Sequence, residues 1–337
     1  MSESQVALTQ ESLDGARGAG AGTHVPAPVS RKARRPRASW RERLEITLLA
    51  GPAIVVFVAF VIVPVVMAVY YGFYRWTGDG PPTDWVGLQN YKLIFQDPVF
   101  FSAVKHSFAI VGLSLVIQGP LAVGLALLLN RKIRGRSIIR VLVFAPWVVS
   151  EVVAGMGWNE MLQADGALNH MLTGLHIFGT VSIDWIGDSH VAIWTLMMVL
   201  TWKYLGFAII LMMAGLQNIP EELFEAARVD GASYWQAQRY VTVPLLGPTI
   251  RIWAFLSIIG SLQLFDLVWV IWGSTSSQVA GTSTMAMYMR DNGLGSGTWG
   301  YGSAVAVVLF GISLVVAVAY QRFVLRRDLS GAITEGA

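Results

Sequence analysis

The sequence contains no cysteine and little charge. The first absence excludes disulfides, thiolate metal sites and cysteine nucleophiles. The second has the larger consequence: 13% of the 337 residues are charged and 54% are hydrophobic, against about 25% charged in a soluble domain. Such a composition belongs in a lipid bilayer. Lysine is scarce, and none of the five, Lys32, Lys92, Lys105, Lys132 and Lys203, follows a glycine. The Gly-Lys-Ser/Thr loop that cradles phosphates is therefore missing, and ATP has no site of that kind in this chain. The five histidines, His24, His106, His170, His176 and His190, show no HExxH or other metal spacing. No Gly-x-Ser-x-Gly elbow occurs either. Gly295-x-Gly297-x-x-Gly300 matches a dinucleotide fingerprint in letters, but it follows no strand of a βαβ unit. A net charge of +3 gives no basis for nucleic-acid binding. Enzyme chemistry, a cofactor and a metal are all without support.

What the chain has in quantity is apolar sequence. A helix crosses the hydrocarbon core with about 20 apolar residues. Six segments qualify: Ile46–Tyr74, Ser107–Leu129, Ile138–Trp158, Val191–Leu216, Thr249–Trp272 and Ser303–Leu325. The first is too long for a cleavable signal peptide. The fold expected is an all-α membrane protein of six transmembrane helices over residues 46–325. Residues 1–45 are expected to be a basic tail, disordered through about residue 38, and residues 326–337 a short second tail. Placing both ends in the cytoplasm puts 19 of the 24 Lys and Arg on that side, as the positive-inside rule requires. The basic cluster Arg31, Lys32, Arg34, Arg35, Arg37, Arg41 and Arg43 reads as a topology signal. Trp76, Trp85, Trp158, Trp185, Trp272 and Trp299 fall near outer span ends, where headgroup anchoring is expected. Pro52, Pro64, Pro120 and Pro146 lie within spans and are expected to bend them.

Between the fourth and fifth segments lies a polar island, residues 219–248. Pro220 suits a first helical position, and Glu221 and Glu222 place negative charge at the positive end of the helix dipole. Gly231 is suited to the left-handed turn that ends a helix, and Ser233 with Gln236 fits a capping box that opens another. Pro244 is expected to stop the second helix at Val243, and Pro248 to open the next span. Two short helices at an angle result.

Within that island, Glu225-Ala226-Ala227, then Gly231, then Val241-Thr242-Val243-Pro244 resembles the EAA loop of ABC importer permeases. Val86-Gly87-Leu88-Gln89-Asn90-Tyr91 with Asp97-Pro98 resembles a stretch of the maltose-type carbohydrate permeases, the family of binding-protein-dependent transport inner membrane components. So do Gly166-Ala167-Leu168-Asn169, Ala214 to Pro220, and Tyr301-Gly302-Ser303-Ala304. Ile271-Trp272-Gly273-Ser274-Thr275 departs from the family's Thr-x-Gly-Gly-Pro. The resemblance implies a non-catalytic sugar permease in a bacterial inner membrane, with Glu222, Glu225, Ala226, Ala227, Asp230, Gly231 and Pro244 coupling it to ATPase subunits. It further implies a second homologous permease, two ATPase subunits holding ATP and Mg, and an extracytoplasmic sugar-binding protein or lipoprotein.

Three ionisable residues, Glu151, Lys203 and Asp266, remain inside the expected spans. A charge in the bilayer costs about 2.5–3.5 kcal/mol on the lenient scale, so each needs a partner, water or the bundle interior. One reading is mutual pairing that fixes helix packing. Another places them, with Gln263 on the face of Asp266, along a substrate path. The alternative class of function is a proton- or ion-coupled secondary transporter using the same three residues.

Overall fold

A computed structural model describes residues 40–131, 134–175, 182–279, 281–293 and 295–325. The stretch expected to be disordered, through about residue 38, and the second tail, residues 326–337, lie outside these residues. The chain divides into two units, one ending at Phe57 and one beginning at Val58. In the first, a helix already starts at Trp40 and runs to Phe57, so the last residues assigned to the tail are helical. Among the described residues regular structure is helical throughout, with one isolated antiparallel bridge between Tyr74 and Trp85.

Among the described residues four helices are long and apolar enough to cross a membrane: Thr47–Tyr71, Pro98–Asn130, Ala192–Gln217 and Trp299–Leu325. Two bent pairs raise the number to six if each is one span. Arg136–Val148 meets Glu151–Met161 at 99°, and Tyr234–Leu245 meets Gly247–Leu262 at 62°. The expected third span, Ile138–Trp158, is thus broken at Val149 and Ser150. The expected fifth, Thr249–Trp272, also needs correction: its helix ends at Leu262, and a new helical stretch, Asp266–Val279, kinked at Gly273, starts after Gln263, Leu264 and Phe265. That break is tolerated because a freed carbonyl finds a donor. Thr284 Oγ1 donates to Leu264 O at 2.6 Å.

Three prolines act on these helices in the same way, while Pro52 and Pro146 lie inside α-helices without a widened turn. A proline has no N–H, and its ring clashes with the carbonyl four residues earlier unless the turn widens. Pro64, Pro120 and Pro244 each follow a π turn, Val58–Ile62, Ser114–Gln118 and Gln238–Thr242 respectively. In each case the carbonyl at risk, on Phe60, Val116 or Tyr240, lies inside the widened turn. The helix bulges and continues instead of stopping.

The segments between the apolar stretches carry short helices, including Gln89–Ile94, Ala167–Gly174 and Met285–Asn292. Two buried asparagines fix them. Asn90 Nδ2 donates to Gly72 O and Tyr74 O, both at 2.9 Å. Asn169 Nδ2 donates to Ala164 O at 2.9 Å and Ile183 O at 3.0 Å, while its Oδ1 accepts from Trp185 Nε1 at 2.9 Å. Asp97 caps the helix Pro98–Leu113 through Val99 N at 2.8 Å and accepts from Tyr288 Oη at 2.5 Å. Burial and that carboxylate push the Tyr288 phenol well above its ordinary range. Trp272 is corrected here: it is 4% exposed and donates to Ile186 O at 2.9 Å, a core residue and not a headgroup anchor.

Candidate functional site

The polar island folds as a pair of short helices. The first is Glu221–Val229, with Glu221 and Glu222 in its first turn as the dipole favours. Pro220 is its N-cap, with an extended ψ of 137°, one residue ahead of the first helical position expected for it. At the other end Ala232 N donates to Ala227 O at 2.9 Å and Gly231 N to Arg228 O at 3.1 Å. These two bonds form a Schellman turn. It requires the left-handed conformation of Gly231, whose φ is +76°. The capping box closes as expected, with Ser233 N donating to Gln236 Oε1 at 2.7 Å and Gln236 N to Ser233 Oγ at 3.4 Å.

The second helix does not stop at Val243. A π turn carries Tyr234–Ala237 on into Val243–Leu245 past Pro244, and the 62° bend then leads into Gly247–Leu262. Of the residues singled out in this pair, Ala227 alone is buried; Glu222, Glu225, Ala226, Asp230, Gly231 and Pro244 are exposed. Large apolar side chains lie bare beside them, Val229 at 87%, Trp235 at 77% and Tyr240 at 68% exposure. Acidic and apolar groups exposed together on a rigid turn form a surface suited to a protein partner.

A second feature lies along the bent helices. A cleft of about 460 Å³ is lined by Glu151, Gln263 and Asp266 together with Trp147, Tyr204 and Trp253. Its polar wall continues through Ser114, Gln118 and Ser257. Ser114 Oγ lies 2.7 Å from Ser257 Oγ and donates to Gln118 Oε1 at 3.1 Å. Tyr204 Oη donates to Glu151 Oε1 at 2.6 Å. Carboxylates, amides and hydroxyls beside aromatic faces can hydrogen-bond and stack against a polyhydroxylated solute.

Lys203 is not part of this lining. It is 3% exposed, and its ammonium donates to Pro146 O at 2.9 Å, Trp147 O at 3.0 Å and Val149 O. These carbonyls end the helix Arg136–Val148, where intrahelical donors run out. Among the described residues it forms no ion pair within 4.0 Å of Glu151 or Asp266, so mutual pairing does not explain the three charges. Helix dipoles do. Lys203 meets a helix C-terminus, while Glu151 and Asp266 each occupy the first turn of a helix. Close approach makes this possible: a Cβ on Gly206 would lie 2.9 Å from Phe144 Cα, so only glycine brings the two helices this near.

Sequence reasoning missed Ser114, Gln118, Trp147, Tyr204, Trp253 and Ser257. One signal was available for the first span involved: Ser114 and Gln118, spaced by four, mark one polar face in an apolar run just before Pro120.

Comparison with known proteins places these features in context. Residues 118–328 match the family described as binding-protein-dependent transport system inner membrane component, a stretch containing the helix pair and most of the cleft. A probable ABC transporter permease protein of Pyrococcus horikoshii is 33% identical over 281 residues, covering 82% of this chain and 94% of its own length. The trehalose/maltose transport system permease protein of Thermococcus litoralis is 30% identical over 277 residues, covering 82% and 92%. A chain of a bacterial alginate ABC transporter, solved in complex with an alginate pentasaccharide-bound periplasmic protein, has the same fold. Its TM-score is 0.74 over 85% of this chain and 97% of that one, at 23% identity.

Proposed function

Since the chain belongs to the family of binding-protein-dependent transport system inner membrane components, we propose that it is the permease subunit of an ATP-driven importer of a sugar. The solute is an oligosaccharide or related polyol, handed over by an extracytoplasmic binding protein. The observation that carries this reading is a continuous path of helix. Tyr234–Leu245, in the exposed pair, runs through one bend into Gly247–Leu262, whose Trp253 and Ser257 line the cleft. A push on the pair therefore has a stiff route to the solute.

In this reading the bent pair Arg136–Met161 and the helix Gly247–Leu262 supply the two further spans, giving six, with both termini and the helix pair in the cytoplasm. The pair is the EAA-type coupling loop between the fourth and fifth spans. Glu222, Glu225, Ala226, Ala227, Asp230, Gly231 and Pro244 form or shape the surface that an ATPase subunit holds. Two such subunits bind ATP and Mg and close on each other, and a second, homologous permease completes the pathway. Closure displaces the coupling helices, and the spans open outward to receive the solute. Glu151, Gln263 and Asp266 offer it hydrogen bonds, and Trp147 and Trp253 offer it flat apolar faces. Lys203 holds the broken third span in shape.

An ion-coupled carrier draws no support from the three charges, since the donors of Lys203 are committed to backbone carbonyls. The test is ATP hydrolysis by the complete transporter reconstituted in liposomes. The rate is expected to rise when sugar-loaded binding protein is added; a rate indifferent to it counts against the reading.

A further inference from the structure

A second concavity, of about 430 Å³, is separate from the cleft. It falls in the size range of small-molecule sites, about 300–1,000 Å³, but its walls suit no sugar. Leu129, Val141, Phe144, Ile210 and Met213 line it, and the charged group among its lining residues is Arg140. One guanidinium nitrogen, Nη2, donates to Leu129 O at 3.1 Å and so closes the end of the helix Gly119–Asn130. The Arg140 Nε is buried and meets no acceptor among the described residues. What the groove offers an anion is the charge of the guanidinium among its lining residues, since the occluded Nε is itself out of reach.

The position decides which anion. The groove sits where Gly119–Asn130 ends, Arg136–Val148 begins and Ser189–Gln217 nears its end. Such helix ends mark the boundary between hydrocarbon and headgroups. Arg134 and Arg136 are exposed there, while Arg131 is stacked over the Tyr234 ring at 4.6 Å. Below the arginines the groove is open along Val141 and Ile210, which are 66% and 45% exposed. Basic groups above an apolar furrow complement a molecule with a phosphate at one end and hydrocarbon at the other.

We propose that this groove seats one anionic phospholipid, its phosphate on the Arg140 guanidinium and its acyl chains along Val141, Ile210 and Met213. The site stands apart from the transport reading and holds whichever way the chain faces. Occupancy ties the end of the second span to the third and fourth, beside the ring of Tyr234, the first residue of the helix Tyr234–Ala237.

The test is native mass spectrometry of the complete transporter in detergent, supplied with phosphatidylglycerol or phosphatidylcholine. Retention of phosphatidylglycerol is expected to exceed that of phosphatidylcholine, and Arg140→Gln is expected to lower it about five- to ten-fold. Because Arg140 also caps a helix, Ile210→Trp provides a second arm: it fills the furrow without changing charge and lowers retention as well. Arg75→Gln, at an exposed ion pair with Asp84, leaves retention unchanged. Equal retention of the two lipids, or retention unmoved by both groove variants, overturns the proposal. So does displacement of the lipid by inorganic phosphate alone, which indicates a free-anion site. A cysteine at Ile210 that cross-links to the second permease also overturns it, by making the groove a subunit interface.

Discussion

Lys203 and Pro146 are joined by a 2.9 Å hydrogen bond from ammonium to carbonyl, at the point where the third apolar segment turns through 99°. The same ammonium holds the carbonyls of Trp147 and Val149. Lys203→Met leaves buried acceptors without donors, and stability is expected to fall by about 3 kcal/mol. Asp266→Asn in the same protein brings no rescue, because the two residues do not pair. A double-mutant cycle on thermal unfolding is expected to give a coupling below about 0.5 kcal/mol. A coupling of several times that size returns the ion-pair explanation.

The cleft gives a different signature. Asp266→Asn and Glu151→Gln remove charge but keep size and some hydrogen bonding, so assembly with the ATPase subunits is expected to survive. Sugar uptake is expected to fall about ten-fold, on the order of one lost charged hydrogen bond to the solute. Initial uptake rates set against subunit recovery on an affinity tag separate the two effects. Unchanged uptake in both variants removes these carboxylates from the path.

At Gly231 the difficulty for another residue is conformational. An added Cβ meets nothing within 4 Å, but φ is +76°. A β-branched residue there costs about 1–2 kcal/mol and opens the Schellman turn. Gly231→Val is therefore expected to insert normally yet lose most ATPase subunit on purification. Gly231→Asn, which tolerates this conformation, is expected to keep most of it. Equal behaviour of the two variants shows that the turn does not matter for docking.

Asn169 tests the segment between the third and fourth apolar stretches. Asn169→Ala strands the Trp185 indole donor and the carbonyls of Ala164 and Ile183. A loss of about 2–4 kcal/mol is expected, read as a lower thermal midpoint, with the solute preference unchanged. An unchanged midpoint contradicts the role of this side chain as the tie of that loop.

Much of this was legible in the sequence for local reasons. Capping at Ser233 and Gln236, the turn at Gly231 and the helical start near Pro220 depend on residues within a few positions of each other. The breaks in the third and fifth segments were hidden because hydropathy reports composition and not direction. Trp147 and Val148 before the first break, and Val152 and Val153 after it, are as apolar as any continuous span. The group that stabilises that break, Lys203, is more than fifty residues away, and Thr284 lies 20 residues beyond Leu264. Lys203 was visible as an anomalous charge, but nothing near it in the chain indicated which partner it had. Pro244 misled for a related reason. A proline signals the loss of one hydrogen bond, while the π turn that absorbs the loss depends on the packing of its neighbours.

The central claim, that ATP and not an ion gradient drives a sugar through this chain, is tested most directly in vesicles. Membranes carrying the complete transporter are supplied with radiolabelled sugar, its binding protein and ATP, and an uncoupler then collapses the proton gradient. Uptake is expected to continue at an undiminished rate with the uncoupler and to stop when ATP is withheld. Uptake that ceases with the gradient while ATP remains, or that proceeds without ATP, contradicts the account.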